Sequence, residues 1–173
     1  MSKNNTIKMA LVAVVSASGA VSMTAQAQDA TVGTTAQVLS NLSVDSTPIN
    51  FGKFTPGQNT GYISIGADQS VSGLAGVTLM GGASTGELYL YGTPGQNVSV
   101  SIEGVSSLVG PGAPMTLNQV GLSNGSTSLG SNSVISLNTN GASTLKLFGQ
   151  LAVPGNQTPG IYSGTVNVVV SYV

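Results

Sequence analysis

The sequence contains no cysteine, histidine, tryptophan or arginine. These absences remove the histidine-based triad, the cysteine nucleophile, the usual zinc ligands and the arginine clamp together. No disulfide can staple the fold, so stability must come from burial and backbone pairing. Charge is also scarce: four lysines stand against five acids, for a formal net charge of −1. Nucleic acid is excluded as a partner, because replacing the counterions of several phosphates takes several Lys or Arg side chains. What remains for catalysis is thin. A serine or threonine activated by Lys53 or Lys146 is the only nucleophile scheme available, and Lys146 alternates with apolar neighbours as a solvent-facing strand residue does. The acids Asp29, Asp45, Asp68, Glu87 and Glu103 are isolated from one another, so no carboxylate pair for glycoside hydrolysis is visible. Asp45 and Asp68 beside Asn and Ser suit either a calcium loop or, more simply, solvated loop acids. The glycine-rich stretch 73–82 lacks the Lys and Ser/Thr that complete a phosphate loop. The sequence therefore predicts a protein that is not an enzyme, with no cofactor, no metal and no catalytic residue.

The chain has apolar residues at 40% and a mean hydropathy of +0.30, which is enough to build a core rather than a disordered polymer. Its first residues read as an address. Lys3 and Lys8 precede an apolar run at 9–15, and small residues lead to Ala25-Gln26-Ala27. Basic, apolar and A-x-A in that order are the marks of a secretory signal peptide, expected over residues 1–27. The apolar run is too short to cross ~30 Å of hydrocarbon, and no later segment is long and apolar enough to do so. Export is expected across the inner membrane, to the periplasm, the cell surface or an extracellular fibre. Cleavage would leave Lys53 and Lys146 against the five acids, a net charge of −3.

Period-two alternation recurs along the rest of the chain, and helical periodicity does not. Val98, Val100 and Ile102 alternate with Ser99, Ser101 and Glu103, and Ile63 and Ile65 alternate with Tyr62 and Ser64. Leu145, Leu147, Leu151 and Val153 share a face opposite Lys146 and Gln150. The last strand is expected to be the longest, with Tyr162, Val166, Val168, Val170 and Tyr172 on one face and Ser163, Thr165, Asn167 and Ser171 on the other. Turn dipeptides separate the runs, among them Pro56-Gly57, Pro94-Gly95, Asn140-Gly141 and Pro159-Gly160. Residues 124–132, rich in Ser, Gly and Asn, read as a mobile loop. The expected fold is all-β: an immunoglobulin-like antiparallel β-sandwich of about 7–9 strands over residues 46–173. Residues 28–45 are expected to form an extended arm or a first strand.

Several segments carry a resemblance. Ile49-Asn50-Phe51-Gly52 with Pro56-Gly57, Tyr91-Gly92-Thr93-Pro94-Gly95 and Met115-Thr116-Leu117 are the shorter ones. The most specific is the end: Leu151-Ala152-Val153-Pro154, Gln157, Pro159-Gly160-Ile161-Tyr162-Ser163-Gly164-Thr165-Val166 and Ser171-Tyr172-Val173. With these the chain resembles an exported bacterial family catalogued as domain of unknown function 4402, similar to spore-coat-U-like proteins and archaic chaperone–usher pilins. The resemblance spans most of the mature chain and implies an immunoglobulin-like sandwich at the cell surface, with no catalytic residues. In such pilins the sandwich lacks its final strand, and a neighbour's N-terminal extension fills the gap.

The last strand has a physical argument of its own. Residues 166–173 are apolar, β-prone and uncharged, so an open edge there would recruit other chains. Val166, Val168, Val170 and Tyr172 are the expected core face to be covered. Ala30, Val32, Ala36 and Val38 alternate with Thr31, Gly33, Thr35 and Gln37 and form a candidate donor face. Alternation alone does not say whether this arm pairs within its own domain or with a neighbour. The expected function is a fimbria-like or surface-matrix subunit that self-associates or joins pilin-type neighbours, with a periplasmic chaperone and an outer-membrane usher as further partners. The alternative is a monomeric surface adhesin or carbohydrate-binding module in which Tyr89 and Tyr91 form a ligand platform; such tyrosines also commonly pack at a sheet edge with the hydroxyl in water.

Overall fold

The computed structural model describes residues 35–173 apart from Ser126, and the expected signal peptide lies outside them. One compact unit runs from Gln37 to Val173. It contains twelve strands in the order β1 (Ser43–Thr47), β2 (Asn50–Thr55), β3 (Gly61–Ile65), β4 (Val71–Leu74), β5 (Thr78–Ser84), β6 (Gly86–Tyr91), β7 (Asn97–Val105), β8 (Thr116–Asn124), β9 (Thr127–Gly130), β10 (Asn132–Ser136), β11 (Ala142–Val153) and β12 (Val166–Tyr172). The fold is all-β, and every strand pair is antiparallel.

β11 is the spine. One of its edges pairs with β6 over Ala142–Leu147 and then with β3 over Gly149–Val153. Lys146, Leu147, Gln150, Leu151 and Ala152 also pair with β8, which therefore lies along the opposite edge. β1 extends this sheet beyond β6, β4 beyond β3 and β9 beyond β8, giving seven strands. A three-stranded sheet runs β10-β7-β12, and β2 and β5 form a two-stranded one.

The alternation read from the sequence decides which faces meet. Leu145, Leu147, Leu151 and Val153 of β11 are all buried, while Lys146 and Gln150 point the other way and are half-exposed. The first core joins Leu88, Leu90, Leu122, Leu145 and Leu147 of the large sheet to Val98, Val100 and Ile135 of the three-stranded sheet. The second gathers Phe51, Ile63, Ile65, Val77, Met115, Leu151 and Val153. Burying each such side chain contributes roughly 1.5–3 kcal/mol, which is how a chain without disulfides holds its shape.

Four expectations need correction. The last strand is not the longest: β11 has 12 residues and β12 has 7. Tyr162 does not share the face of β12, because it lies before the strand begins; its hydroxyl donates to the Thr158 carbonyl at 2.8 Å. Residues 124–132 are not a loop, since β9 folds back on β8 through a turn at Gly125, whose φ of 73° suits glycine. Small polar side chains do not prevent a backbone ladder, so composition misled there. There are also more strands than the 7–9 expected. Pro48 cuts one extended run in two, sending Ser43–Thr47 to pair with β6 and Asn50–Thr55 to pair with β5.

Leu145 has no exposed surface, whereas Val169 on the outer face of β12 is 51% exposed. Leu145→Ala should destabilise the protein by about 2–5 kcal/mol in urea unfolding. Val169→Ala should change stability by no more than about 0.5 kcal/mol. Equal effects at the two positions would contradict this assignment of the core.

Candidate functional site

Among the described residues, β12 pairs with β7 alone, and its other edge has no strand partner. The residues of β12 that face the core, Val166, Val168, Val170 and Tyr172, are only half-buried. The equivalent residues of β11 are nearly inaccessible. Both strands present the same chemistry to the same interior, so the difference lies in what covers them. β11 has a neighbour on each side; β12 has one.

Facing this open edge is a second one. β2 pairs with β5 and has no partner on its other side, and β1 pairs only with β6. Two adjoining cavities, of about 510 and 720 Å³, lie between β12 with its lead-in and the β1–β2 run. Ile49, Phe51, Leu108 and Tyr162 line both, so they form one groove. Its floor is the apolar face of the large sheet, with Leu88, Leu117, Leu147 and Leu151. One wall carries Val166 and Val168, the other Val44 and Phe54.

Local sequence fixes the walls. In β2, Gly52 adopts φ 75°, and a Cβ there would stand 2.5 Å from the Gly81 carbonyl oxygen; glycine is needed for the close approach to β5. The lead-in to β12 is tied down by Gln157, a buried polar side chain whose Nε2 donates to the Ala113 carbonyl. Val109 and Ser163 exchange backbone hydrogen bonds at 2.8 and 3.1 Å just before the strand starts. At the C-terminal end of β12 the Tyr172 hydroxyl accepts from the Thr93 amide at 2.7 Å and donates to the Ser40 carbonyl at 3.0 Å. Sequence reading placed Tyr172 on the core face but missed Ser40 and Thr93, because their partners are 53 to 132 residues away.

Of the arm residues, Ala36 and Val38 lie outside any strand, with Val38 92% exposed; Ala30 and Val32 lie outside the described residues. Tyr89 and Tyr91 are on the outer face of the large sheet, turned away from the groove. Their cross-strand neighbours are Asp45 and Thr144 for Tyr89, and Ser43 and Ala142 for Tyr91. The Tyr89 hydroxyl donates to the Glu87 carboxylate, and this bond holds the phenol above its ordinary pKa. Asp68 accepts from the Ser70 hydroxyl at 2.6 Å and from the Ser70 amide at 3.0 Å, which lowers its pKa. It sits in the β3–β4 turn, whereas Asp45 is on β1, and among the described residues no group of three or more potential ligands could hold a metal.

A family model described as "Domain of unknown function (DUF4402)" matches residues 42–172, and the chain belongs to that family. No curated protein and no solved structure matches it. No helix among the described residues is long and apolar enough to cross a membrane.

The two-edged pairing of β11 and the one-edged pairing of β12 give distinct exchange patterns. Hydrogen exchange on the isolated chain should protect β11 amides along its length. On β12 it should leave fast-exchanging those amides that point away from β7. Uniform protection of β12 would mean that its edge is covered.

Proposed function

We propose that this member of the DUF4402 family is an exported structural subunit of the bacterial surface, an open immunoglobulin-like sandwich that assembles by β-strand exchange. In this reading the N-terminal arm of one copy fills the groove beside β12 of the next. The observation that carries it is the half-burial of Val166, Val168, Val170 and Tyr172 beside an unpaired edge. An added strand would pair the free N–H and C=O groups of β12 and cover this apolar face in one step.

The arm suits the task. Ala30, Val32, Ala36 and Val38 fall on one face of an extended chain. Residues 30–39 span about 33 Å when extended, at ~3.3 Å per residue, against about 23 Å for the seven residues of β12. Direction favours a neighbour's arm over the chain's own. β12 ends beside Ser40, where the arm begins, so the chain's own arm laid back along β12 would run parallel to it. A neighbour's arm is free to run antiparallel, the slightly stronger pairing. An exported chain with such an edge also needs a cover before assembly, the role of a periplasmic chaperone that hands subunits to an outer-membrane usher.

A second reading rests on Tyr91, 46% exposed on the outer face between Ser43 and Ala142. It makes the protein a monomeric adhesin or carbohydrate-binding module whose aromatic platform stacks on a sugar. A glycan array in which a Tyr89→Ala/Tyr91→Ala variant loses a signal would support it.

Deleting residues 30–39 should abolish polymers of the mature protein and leave a chaperone-dependent domain. A synthetic peptide of residues 30–39 added to that domain should bind and raise its melting temperature. If the deleted protein still forms the same fibres, strand exchange by this arm is wrong.

A further inference from the structure

The root of the arm is tied to the last strand by a closed ring of hydrogen bonds. The Ser40 amide donates to Thr93 Oγ1 at 2.7 Å, and the Ser40 and Thr93 hydroxyls lie 2.8 Å apart. The Thr93 amide donates to Tyr172 Oη at 2.7 Å, and Tyr172 Oη donates to the Ser40 carbonyl at 3.0 Å. The phenol thus acts as both acceptor and donor, and phenylalanine can do neither. Packing holds the ring in place. A Cβ on Gly92 would collide with Tyr172 Oη and stand 3.0 Å from Leu137 and 3.1 Å from Leu42. Gly141, with φ 74°, packs its Cα against the Gly92 carbonyl, and the Gly92 amide donates to the Gly141 carbonyl at 2.8 Å.

We infer that Ser40, Thr93 and Tyr172 form a latch that directs the arm away from its own groove and towards a neighbouring subunit, so that the chain polymerises instead of closing on itself. The inference rests on the strand-exchange reading above. Its physical basis is the backbone of Ser40. To lie in its own groove the arm must reverse direction at or just before Ser40, and a tight reversal uses backbone N–H and C=O groups at the turn. Both groups of Ser40 are already bound, to Thr93 and to Tyr172. Self-closure would have to break these bonds or make its turn without them, while insertion into a neighbour leaves the ring intact. Tyr172 is accordingly a positioning residue: its ring packs against the core and its hydroxyl holds the Ser40 backbone at the root of the arm.

The test uses the full mature chain carrying Tyr172→Phe, with Thr93→Val as a second variant that removes Oγ1 and keeps the side chain's shape. Size-exclusion chromatography with light scattering gives the ratio of fibre to monomer. Hydrogen exchange of residues 30–42 reports whether the arm of the monomer is protected. Losing the ring should lower the fibre-to-monomer ratio about tenfold, as expected for the loss of one or two neutral hydrogen bonds. The accumulated monomer should have a protected arm and should not bind the peptide of residues 30–39. Arm-deleted Tyr172→Phe should still bind that peptide, which separates a lost latch from a damaged groove. An unchanged fibre-to-monomer ratio in both variants, in a protein whose polymers do depend on the arm, overturns the latch and leaves strand exchange standing. Polymers that survive deletion of the arm overturn strand exchange itself. If Tyr172→Phe fails to fold, Thr93→Val decides.

Discussion

Everything in this fold hangs on the double-edged pairing of β11. With no disulfide and little charge, the chain depends on backbone ladders and burial, and β11 supplies both over 12 residues. It is bonded to β6 and β3 along one edge and to β8 along the other, and its inward side chains take part in both cores. Buried backbone groups must find partners, so one fully paired strand fixes the position of every strand beside it. The register is equally constrained. A one-residue slip would turn Leu145, Leu147, Leu151 and Val153 to solvent and drive Lys146 into the core.

β12 is the counter-example within the same molecule. Its alternation is as regular as that of β11, yet its inward residues remain half-exposed because pairing stops at β7. Sequence pattern sets which side chains face the core; the number of neighbouring strands sets how deeply they are buried. The groove follows from the second rule. It runs between β12 with its lead-in and the β1–β2 run, over the apolar floor of the large sheet.

This division explains what could be read from the sequence. The faces of β3, β6, β7 and β11 were legible, because period two depends only on neighbours along the chain. The inward face of β12, with Val166, Val168, Val170 and Tyr172, was legible for the same reason. The change of sheet at Pro48 was not, since a proline reports a break in pairing and not the new partner. The β8–β9 hairpin was hidden by a composition of Ser, Gly and Asn, whose side chains carry no facial signal although their backbones pair normally. The ring of Ser40, Thr93 and Tyr172 joins residues up to 132 positions apart. Only the Tyr91-Gly92-Thr93-Pro94-Gly95 motif hinted at it, through a glycine that the Tyr172 hydroxyl leaves no room to replace.

The edges of the sheets can be compared with one another. β4 and β9 have only four residues each, too short to template a long ladder. β5 carries Gly81 and Gly82 in succession with φ of 101° and 81°, which twists its edge out of the extended form. β1 ends at Pro48 and carries Asp45, and β10 closes against β9 at a corner. β12 is different: seven residues with no glycine, no proline and no charge, blunted only by the register shift between Asn167 and Val168. A monomer that must remain one would shorten or charge such a strand. An edge kept long and uncharged, beside a groove with an apolar floor, fits a ladder whose other half comes from a second chain.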